Sequence, residues 1–280
     1  MILIYQTGAL ILAILLDLLI GRPDLPWHLD FLLDKLTAVS DRQFYPEYPG
    51  QKTLYRHGIY LFLFVVGVPV LFFAGLLLEL YRFLPIAAFI VEGIILWQTI
   101  DLRNMTRRAM VVAQDLELSD QFAARLHVSF ISDRETGTMD EQTIVSESIR
   151  YVAASSLEYV IGPLFYFFFA GTAGSAGYRS LHVLKSRVDQ PDDRYIVYGQ
   201  FTRLMYHAFT FLPRQFNTYL LKVMSRLVDK HDRNIFQDGN QAASGTDIRI
   251  AVQAARLAAI SAIAISLLLK AVFVIALFRG

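Results

Sequence analysis

The sequence predicts an all-α, polytopic integral membrane protein, and three observations lead to that prediction. Hydrophobic residues make up 55% of the 280 residues, and the mean hydropathy of +0.42 lies above the usual range for soluble globular proteins. Charged residues amount to only 18%, and several stretches of about 20 residues lack them almost completely, a length that crosses ~30 Å of hydrocarbon. We therefore expect about four clear transmembrane helices, a broken or re-entrant membrane element, and cytoplasmic amphipathic helices.

These elements form a single predicted membrane domain over residues 1–280. In order, it comprises span 1 (1–20), a cytoplasmic segment (21–57), a helical hairpin (58–100), cytoplasmic helices (101–150), a broken membrane element with a basic cytoplasmic segment (151–249), and a C-terminal span (251–280). Span 1 lacks the basic start and the small-residue cleavage site of a signal peptide, so we expect it to remain as an anchor.

The hairpin and the last span follow from runs of apolar residues. Residues 58–78 carry no charge, and residues 83–100 carry a single acidic residue. The short connection at 81–82 predicts a tight turn between these two spans. Residues 257–278 carry a single lysine and predict the fourth span.

Residues 151–184 do not fit a simple span. Pro163 and four glycines interrupt the apolar run, and such residues break a membrane helix. We therefore expect this element to be broken or re-entrant.

The distribution of basic residues predicts the orientation of the chain. Lys and Arg number five in 21–57, six in 101–150 and eleven in 176–249, against one in the 81–82 turn. Basic loops favour the cytoplasm, so all three segments are expected there. A single crossing by 151–184 would place the most basic segment outside. That element is therefore expected to enter and return, or to cross twice, and both termini are expected outside.

The cytoplasmic segments have helical patterns. Apolar residues recur every three to six positions in 102–130, and Ser119 and Asp120 are expected to cap two helices there. A further helix is expected over 200–229 with an interruption at Pro213, and the polar stretch 231–248 predicts a surface loop.

The composition excludes several classes of function. The 26 Lys and Arg residues nearly balance the 25 Asp and Glu residues, which argues against a nucleic-acid partner. No cysteine is present, and the six histidines form no HExxH pattern, which argues against a zinc site. Phosphate-binding glycine motifs are also lacking. The expected partners are the lipid bilayer and another membrane protein or a second copy of the chain.

A charged string lies between the predicted cytoplasmic helices, at Ser132, Asp133, Arg134, Glu135 and Thr136, followed by Met139 and Asp140. Adjacent carboxylates could bind Mg²⁺ together with a substrate phosphate, which an arginine would contact. Alternatively, the string is a solvated turn in which Thr136 or Asp140 caps the next helix.

The chain carries an ordered series of motifs. They comprise Asp17, Gly21, Pro23 and His28, with Arg22 between them; Arg134-Glu135-Thr136 and Met139-Asp140; Pro163-Leu164-Phe165-Tyr166; Gly171, Gly174 and Tyr178; Arg194-Tyr195 and Tyr198-Gly199; and Pro213. This order resembles the CobD/CbiB family of adenosylcobinamide-phosphate synthases, membrane proteins of cobalamin biosynthesis with distant AmpE-type relatives. The resemblance covers essentially the whole chain. It implies a bacterial or archaeal cytoplasmic membrane.

The chain departs from the polar signature of that family. Where the family carries Glu-Ser-x-x-Glu-Asn, this sequence has Arg150, Tyr151, Ala154 and Ser155. Where the family carries Asn-Thr-Leu-Asp-Ser-Met, it has residues 182–187, with Lys185 in place of the acid. In place of the paired Asp-Asp followed by Asn, it has Tyr206, His207 and Thr210. Basic residues at 150 and 185 reverse the local charge and would repel a divalent cation. The condensation of aminopropanol or its phosphate with a corrinoid carboxylate, which the resemblance implies, needs such carboxylates.

Two hypotheses therefore follow from the resemblance. The first is a non-catalytic sensor, regulatory or complex-stabilising subunit, without a cofactor, metal site or catalytic residue. The second is a divergent synthase that uses Mg²⁺ and a corrinoid substrate.

The sequence also predicts a basic cytoplasmic pocket between 134–140 and 178–214. Its candidate ligand-binding residues are Arg134, Glu135, Thr136, Asp140, Arg150, His182, Lys185 and Arg187. In the alternative interpretation, the basic members pair with Glu135, Asp140, Glu147 and Asp189 or face lipid headgroups.

Two charges lie inside predicted spans. Glu92 and Lys270 are at matching depths, roughly 13 Å from the outer surface at ~1.5 Å per residue. Buried charges cost several kcal/mol unless they are paired, so one hypothesis is a Glu92–Lys270 ion pair that joins the third and last spans. In the other, Lys270 extends outward while Glu92 is protonated or bonds a neighbour such as Tyr60.

Overall fold

The structure, a computed structural model, describes residues 2–21, 28–47, 50–132, 134–229, 235–236 and 244–279. These residues form helices and connections, with no strand among them. The helices are α1 (Ile2–Leu19), α2 (Leu29–Phe44), α3 (Gln51–Phe83), α4 (Pro85–Thr99), α5 (Leu102–Glu117), α6 (Gln121–Val128), α7 (Glu141–Ser156), a π-helical turn (Leu157–Ile161), α8 (Gly162–Val188), α9 (Tyr195–Tyr198), α10 (Gln200–Val228) and α11 (Gly245–Arg279). The predicted all-α class is confirmed.

The chain divides into two compact units. Unit 1 comprises Met1–Ile100, Gly162–Pro213 and Leu267–Gly280, and unit 2 comprises Asp101–Ile161 and Arg214–Ser266.

Three helical stretches are long and apolar enough to cross a membrane, at Gln51–Phe83, Glu141–Val188 and Gly245–Val272. Two shorter apolar helices occur at Tyr5–Leu19 and Pro85–Thr99, where the first and third spans were expected. These helices fit the predicted polytopic membrane protein.

In unit 1, α1 and α4 pack side by side through small residues. A Cβ atom on Gly8 would lie 2.9 Å from the ring of Phe89, and one on Gly93 would lie 2.7 Å from Leu12. The residue numbers rise together along both helices, so the two helices run parallel. The glycines allow the backbones to approach closely, as small residues do in membrane helix pairs.

The helix α8 is a hairpin rather than one straight rod. Its helical conformation breaks at Ala170 (φ −127°, ψ 15°) and Gly171 (φ +63°, ψ −160°), the second of which has the positive φ that glycine adopts without strain. A Cβ atom on Gly162 would lie only 2.2 Å from Cζ of the Tyr178 ring, so these two residues are in close contact. Sixteen residues of straight helix would separate these positions by ~24 Å. The outgoing arm (162–169) and the return arm (172–188) therefore run antiparallel, which confirms the predicted broken element.

Several helix boundaries in the structure differ from those predicted from the sequence. The hairpin turn between α3 and α4 lies at Leu84 instead of 81–82, because Pro85 starts a new helix. The helix α10 continues through Pro213, where an interruption was expected, and α11 begins at Gly245, inside the loop predicted for 231–248. Most of that predicted loop lies outside the described residues.

The predicted helix caps can also be compared with the structure. The Asp120 side chain accepts a hydrogen bond from the Ala123 N–H at the start of α6 (2.9 Å). The Asp140 side chain accepts one from the Thr143 N–H at the start of α7 (3.0 Å). Both side chains satisfy an N–H group that the first helical turn leaves unpaired.

Candidate functional site

Polar side chains in unit 1, most of them buried, gather where α1 and α4 end, where α2 begins, and along the return arm of α8. We call them the Asp30–Arg179 cluster; its members are Asp17, His28, Asp30, Gln98, Thr99, Ser175 and Arg179. Buried polar groups are uncommon unless they are hydrogen-bonded, so a cluster of this size marks a candidate site.

An ion pair between Asp30 and Arg179 forms the centre of this cluster. The Arg179 Nε atom donates to Asp30 Oδ1 (2.6 Å), and a terminal guanidinium nitrogen donates to Oδ2. Arg179 is only 2% exposed, whereas Asp30 reaches the edge of the cluster. Such a two-point contact fixes both the distance and the orientation of the guanidinium group. Arg179 is therefore rigidly aimed, and the carboxylate compensates its buried charge.

Hydrogen bonds between the end of α4 and the residues before Asp30 fix the start of α2. The Leu29 N–H donates to the Gln98 side-chain oxygen (2.7 Å), and Trp97 Nε1 donates to the Gly21 carbonyl (3.1 Å). His28 caps α2, because its Nδ1 atom accepts the Asp30 N–H. These contacts fasten both ends of the connection between α1 and α2 to α4.

A second contact links α4 to the return arm. The hydroxyls of Thr99 and Ser175 lie 2.8 Å apart, and both side chains are buried. The motif residues Asp17 and His28 are also buried in unit 1, whereas Arg22 and Pro23 lie outside the described residues.

Next along α2 and the return arm lies a second buried carboxylate. Asp41 Oδ2 accepts hydrogen bonds from the Tyr195 hydroxyl (2.7 Å) and the Arg194 guanidinium (3.1 Å), and Arg187 Nε lies 3.5 Å away. Burial, followed by the hydrogen bond to Asp41, raises the pKa of Tyr195. Burial also raises the pKa of the adjacent Tyr198 hydroxyl. The motif residues Arg194 and Tyr195 thus form part of a buried polar network.

In unit 2, the charged string leads to Glu147. This carboxylate is 4% exposed and accepts from Arg134 (3.0 Å), from Arg150 Nε (3.0 Å) and from the Ser132 hydroxyl (3.1 Å). Two of the candidate anion contacts are therefore paired with one acid, as the alternative interpretation expects.

Asp140, a member of the charged string, caps the start of α7. Hydrogen bonds from the side chain and then the backbone of Thr143 hold the pKa of Asp140 below its usual range. Glu135 is exposed and Thr136 is half-buried, while Asp133 lies outside the described residues. The string thus contains the helix cap expected from its alternative interpretation.

The remaining candidates lie in unit 1. Lys185 pairs with Asp189 (3.2 Å) and lies over the Tyr206 ring, and His182 is half-buried. The predicted basic pocket would draw residues from both units and stays a prediction. Among the described residues, no three His, Asp or Glu side chains lie close enough to share a metal ion.

The structure gives Glu92 and Lys270 different partners. Glu92 accepts from the Thr172 hydroxyl (2.9 Å) and from the Tyr81 hydroxyl, whereas the Lys270 ammonium donates to Gln6 (3.2 Å). Both charged residues are buried in unit 1, but their described contacts do not include the direct ion pair. Hydroxyl and amide dipoles satisfy the two charges instead. Nor is Tyr60 the partner of Glu92.

Sequence patterns did not single out Asp30, Asp41 or Arg179. The signal that could have found the two acids is the inward face of α2, where Leu33 and Thr37 lie between them at helical spacing. Arg179 had no local signal, since its partner is 149 residues away in the chain.

Comparison with known proteins adds a family match. The family described as CobD/Cbib protein matches residues 10–259. Cobalamin biosynthesis protein CobD of Clostridium perfringens is 25% identical over 228 residues, which cover 81% of this chain and 72% of that protein. Cobalamin biosynthesis protein CbiB of Salmonella typhi is 26% identical (77% and 68% covered), and CobD of Brucella suis is 28% identical (83% and 71%). No solved structure matches the chain significantly.

Proposed function

Because the chain belongs to the CobD/CbiB family, we propose that it is a non-catalytic membrane member of that family, acting as a sensor, regulator or complex-stabilising subunit. The observation that supports the proposal is the pairing of two basic residues. Arg150 and Lys185 stand where the resemblance implies carboxylates, and each pairs with a carboxylate of this chain. On this proposal, the scaffold is kept while the charge of its polar signature is reversed.

The contacts of Glu147 support the proposal further. A carboxylate that binds Mg²⁺ must offer an oxygen lone pair to the ion. Both oxygens of Glu147 instead accept from guanidinium groups, one from Arg134 and the other from Arg150. A divalent cation at this carboxylate would have to displace two cations of the chain.

A divergent synthase is the second candidate, and one observation favours it. Asp17 and His28 keep the positions of the family motif and are buried in unit 1, as is Arg179. A relocated reaction would have an acid, an imidazole and a guanidinium available there. Mg²⁺ and a corrinoid acid would then be its metal and substrate.

Turnover distinguishes the two candidates. Purified protein in phospholipid vesicles would receive aminopropanol phosphate, a corrinoid acid and Mg²⁺, with an active synthase of the family assayed in parallel. We expect no condensation product from this chain, and no rescue of a cobalamin-requiring strain that lacks its own synthase. Robust Mg²⁺-dependent product would overturn the proposal in favour of the divergent synthase.

An acid-restoring variant tests the reason for the missing turnover. Arg150→Glu combined with Lys185→Asp returns the expected carboxylates, and Arg150→Lys combined with Lys185→Arg is its charge-matched control. We expect Mg²⁺ to raise the thermal midpoint of the acid-restoring variant and to leave the control and the unmodified protein unchanged. Equal responses in all three proteins would contradict the role of these two positions.

A further inference from the structure

The tip of the α8 hairpin is surrounded by polar groups from several helices of unit 1. At the tip, Gly171 has a positive φ, and a Cβ atom there would lie 2.9 Å from the Gln6 side-chain nitrogen. The Gln6 amide of α1 therefore lies directly against the turn. Any larger residue at position 171 would meet both backbone strain and this amide.

On one side of the tip, the Glu92 carboxylate accepts hydrogen bonds from two helices. The Thr172 hydroxyl, at the start of the return arm, donates to Glu92 of α4 (2.9 Å). The Tyr81 hydroxyl of α3 donates to the other oxygen of the same carboxylate. Glu92 is 1% exposed, so these bonds form in a low-dielectric interior, where losing a donor is costly.

On the other side of the tip, the Lys270 ammonium group contacts Gln6 and Phe167. The Lys270 ammonium of α11 donates to the Gln6 side-chain oxygen (3.2 Å) and lies 3.7 Å from the centre of the Phe167 ring. Phe167 belongs to the outgoing arm. Lys270, at 2% exposure, therefore holds that arm by a cation–π contact and holds Gln6 against the turn.

We propose that Gln6, Tyr81, Glu92, Thr172 and Lys270 form a tip latch that fixes the hairpin and thereby positions Arg179 against Asp30. Thr172 and Arg179 are seven residues apart on one helical arm, a distance of ~10 Å. A helix transmits a shift of its first turn along its length, so release of the tip moves Arg179. Within the membrane, the latch therefore controls the geometry of the Asp30–Arg179 cluster. The latch would act in the same way in a catalytic and in a non-catalytic protein.

Thiol labelling tests the latch, because the sequence contains no cysteine. Single reporters are Ala173→Cys beside the tip, Ser180→Cys beside Arg179, and Ser40→Cys in α2, all at buried positions. Their rates of reaction with N-ethylmaleimide are measured in native membranes. Thr172→Val removes one bond of the latch, and Lys270→Met removes the base.

Each latch variant has a matched control. Thr37→Val removes a buried hydroxyl that bonds only to Leu33 within α2, and Lys52→Met removes an exposed lysine. Thr172→Ser keeps the hydroxyl and should restore the wild-type rates. We expect both latch variants to raise labelling at 173 and 180 about tenfold, the effect of one lost hydrogen bond of ~1.4 kcal/mol, without a change at 40.

Other outcomes overturn the proposal. Unchanged rates at 173 would show that these groups do not hold the tip, and a rise at 173 alone would show that the tip does not position Arg179. An equal rise at all three reporters, or a rise in the Thr37→Val and Lys52→Met controls, would mean general loosening of the fold rather than release of a latch.

Discussion

The ring of Tyr178 stacks on the ring of Tyr166, with centroids 5.3 Å apart and planes inclined by 20°. Twelve residues separate the two tyrosines, which would place them ~18 Å apart along a straight helix. The chain must therefore reverse between them, at Ala170 and Gly171. The outgoing arm continues the helical stretch that begins at Glu141, so the reversal divides a stretch that would otherwise be long enough to cross the membrane.

This reversal predicts a cross-link that a straight helix cannot form. Packed helices lie about 8–10 Å apart, a distance that a short bifunctional thiol reagent spans. Tyr166→Cys combined with Tyr178→Cys should be linked by a bismaleimide of about 8–10 Å, as measured by mass spectrometry after proteolysis between the arms. Leu71→Cys combined with Phe83→Cys has the same sequence spacing within α3, ~18 Å along a straight helix, and should stay unlinked. Cross-linking in both pairs, or in neither, would contradict the hairpin.

A close approach of α3 to α9 predicts a strong effect of one methyl group. A Cβ atom on Gly58 would lie 2.1 Å from the carbonyl oxygen of Tyr198, whereas one on Gly67 meets nothing within 4 Å. Gly58→Ala should therefore reduce the free energy of unfolding by about 3 kcal/mol, because the backbone must move. Gly67→Ala, in the same helix, should be neutral or stabilise by up to ~1 kcal/mol. Thermal unfolding in detergent micelles measures both, and similar losses would refute the close contact.

The sequence predicts the apolar elements of this fold better than their ends. Residues 58–78 identify α3, but the helix begins at Gln51, because hydropathy registers only its apolar part. The broken element is predicted from Pro163 and the glycines, yet the break lies at Ala170 and Gly171. Pro163 lies just after the π-helical turn Leu157–Ile161, and the helix continues past it.

The candidate site is less predictable, because its partners are distant in the chain. Asp140 as a helix cap follows from local chemistry, since a cap and the N–H groups it satisfies lie within three residues. The pairing of Asp30 with Arg179 depends on how α2 packs against the return arm. No local pattern encodes that packing. For the same reason, the sequence placed Glu92 and Lys270 at a common predicted depth and offered a hydrogen bond from Glu92 to a neighbour as one alternative, but it did not identify Tyr81, Thr172 and Gln6 as the partners.

A double-mutant cycle should reveal coupling between these two charges. Opposite charges buried in one unit attract each other across the Gln6 and Thr172 contacts, even without a direct bond. Glu92→Gln and Lys270→Met should each cost about 3 kcal/mol, since each leaves the other charge uncompensated. The double variant should recover at least ~1 kcal/mol of the summed loss. Unfolding in detergent gives the three values, and strict additivity would show that the two charges are independent.

The cap at Asp140 predicts a titration in acid. Its pKa is lower in the folded protein than in the unfolded chain, because Thr143 donates to the ionised form. The corresponding stability is fully present above the unfolded pKa and is lost as the pH falls through the folded value. Asp140→Asn keeps an acceptor but cannot titrate. The difference in unfolding midpoint between this variant and the parent should thus change between about pH 5 and pH 3 and stay constant above pH 5. A constant difference at every pH would contradict the prediction.

The orientation of the chain gives a final prediction. Five, six and eleven basic residues mark the segments 21–57, 101–150 and 176–249, and basic segments are retained in the cytoplasm. A re-entrant α8 hairpin would account for this distribution, since an element that returns to its side of entry leaves the segments before and after it on one side of the membrane. Reporter fusions after residues 45, 130 and 240 should therefore all give cytoplasmic signals, and a fusion after residue 84, at the turn between α3 and α4, should give an external one. An external signal at 240 together with a cytoplasmic one at 130 would mean that residues 151–184 cross the membrane once.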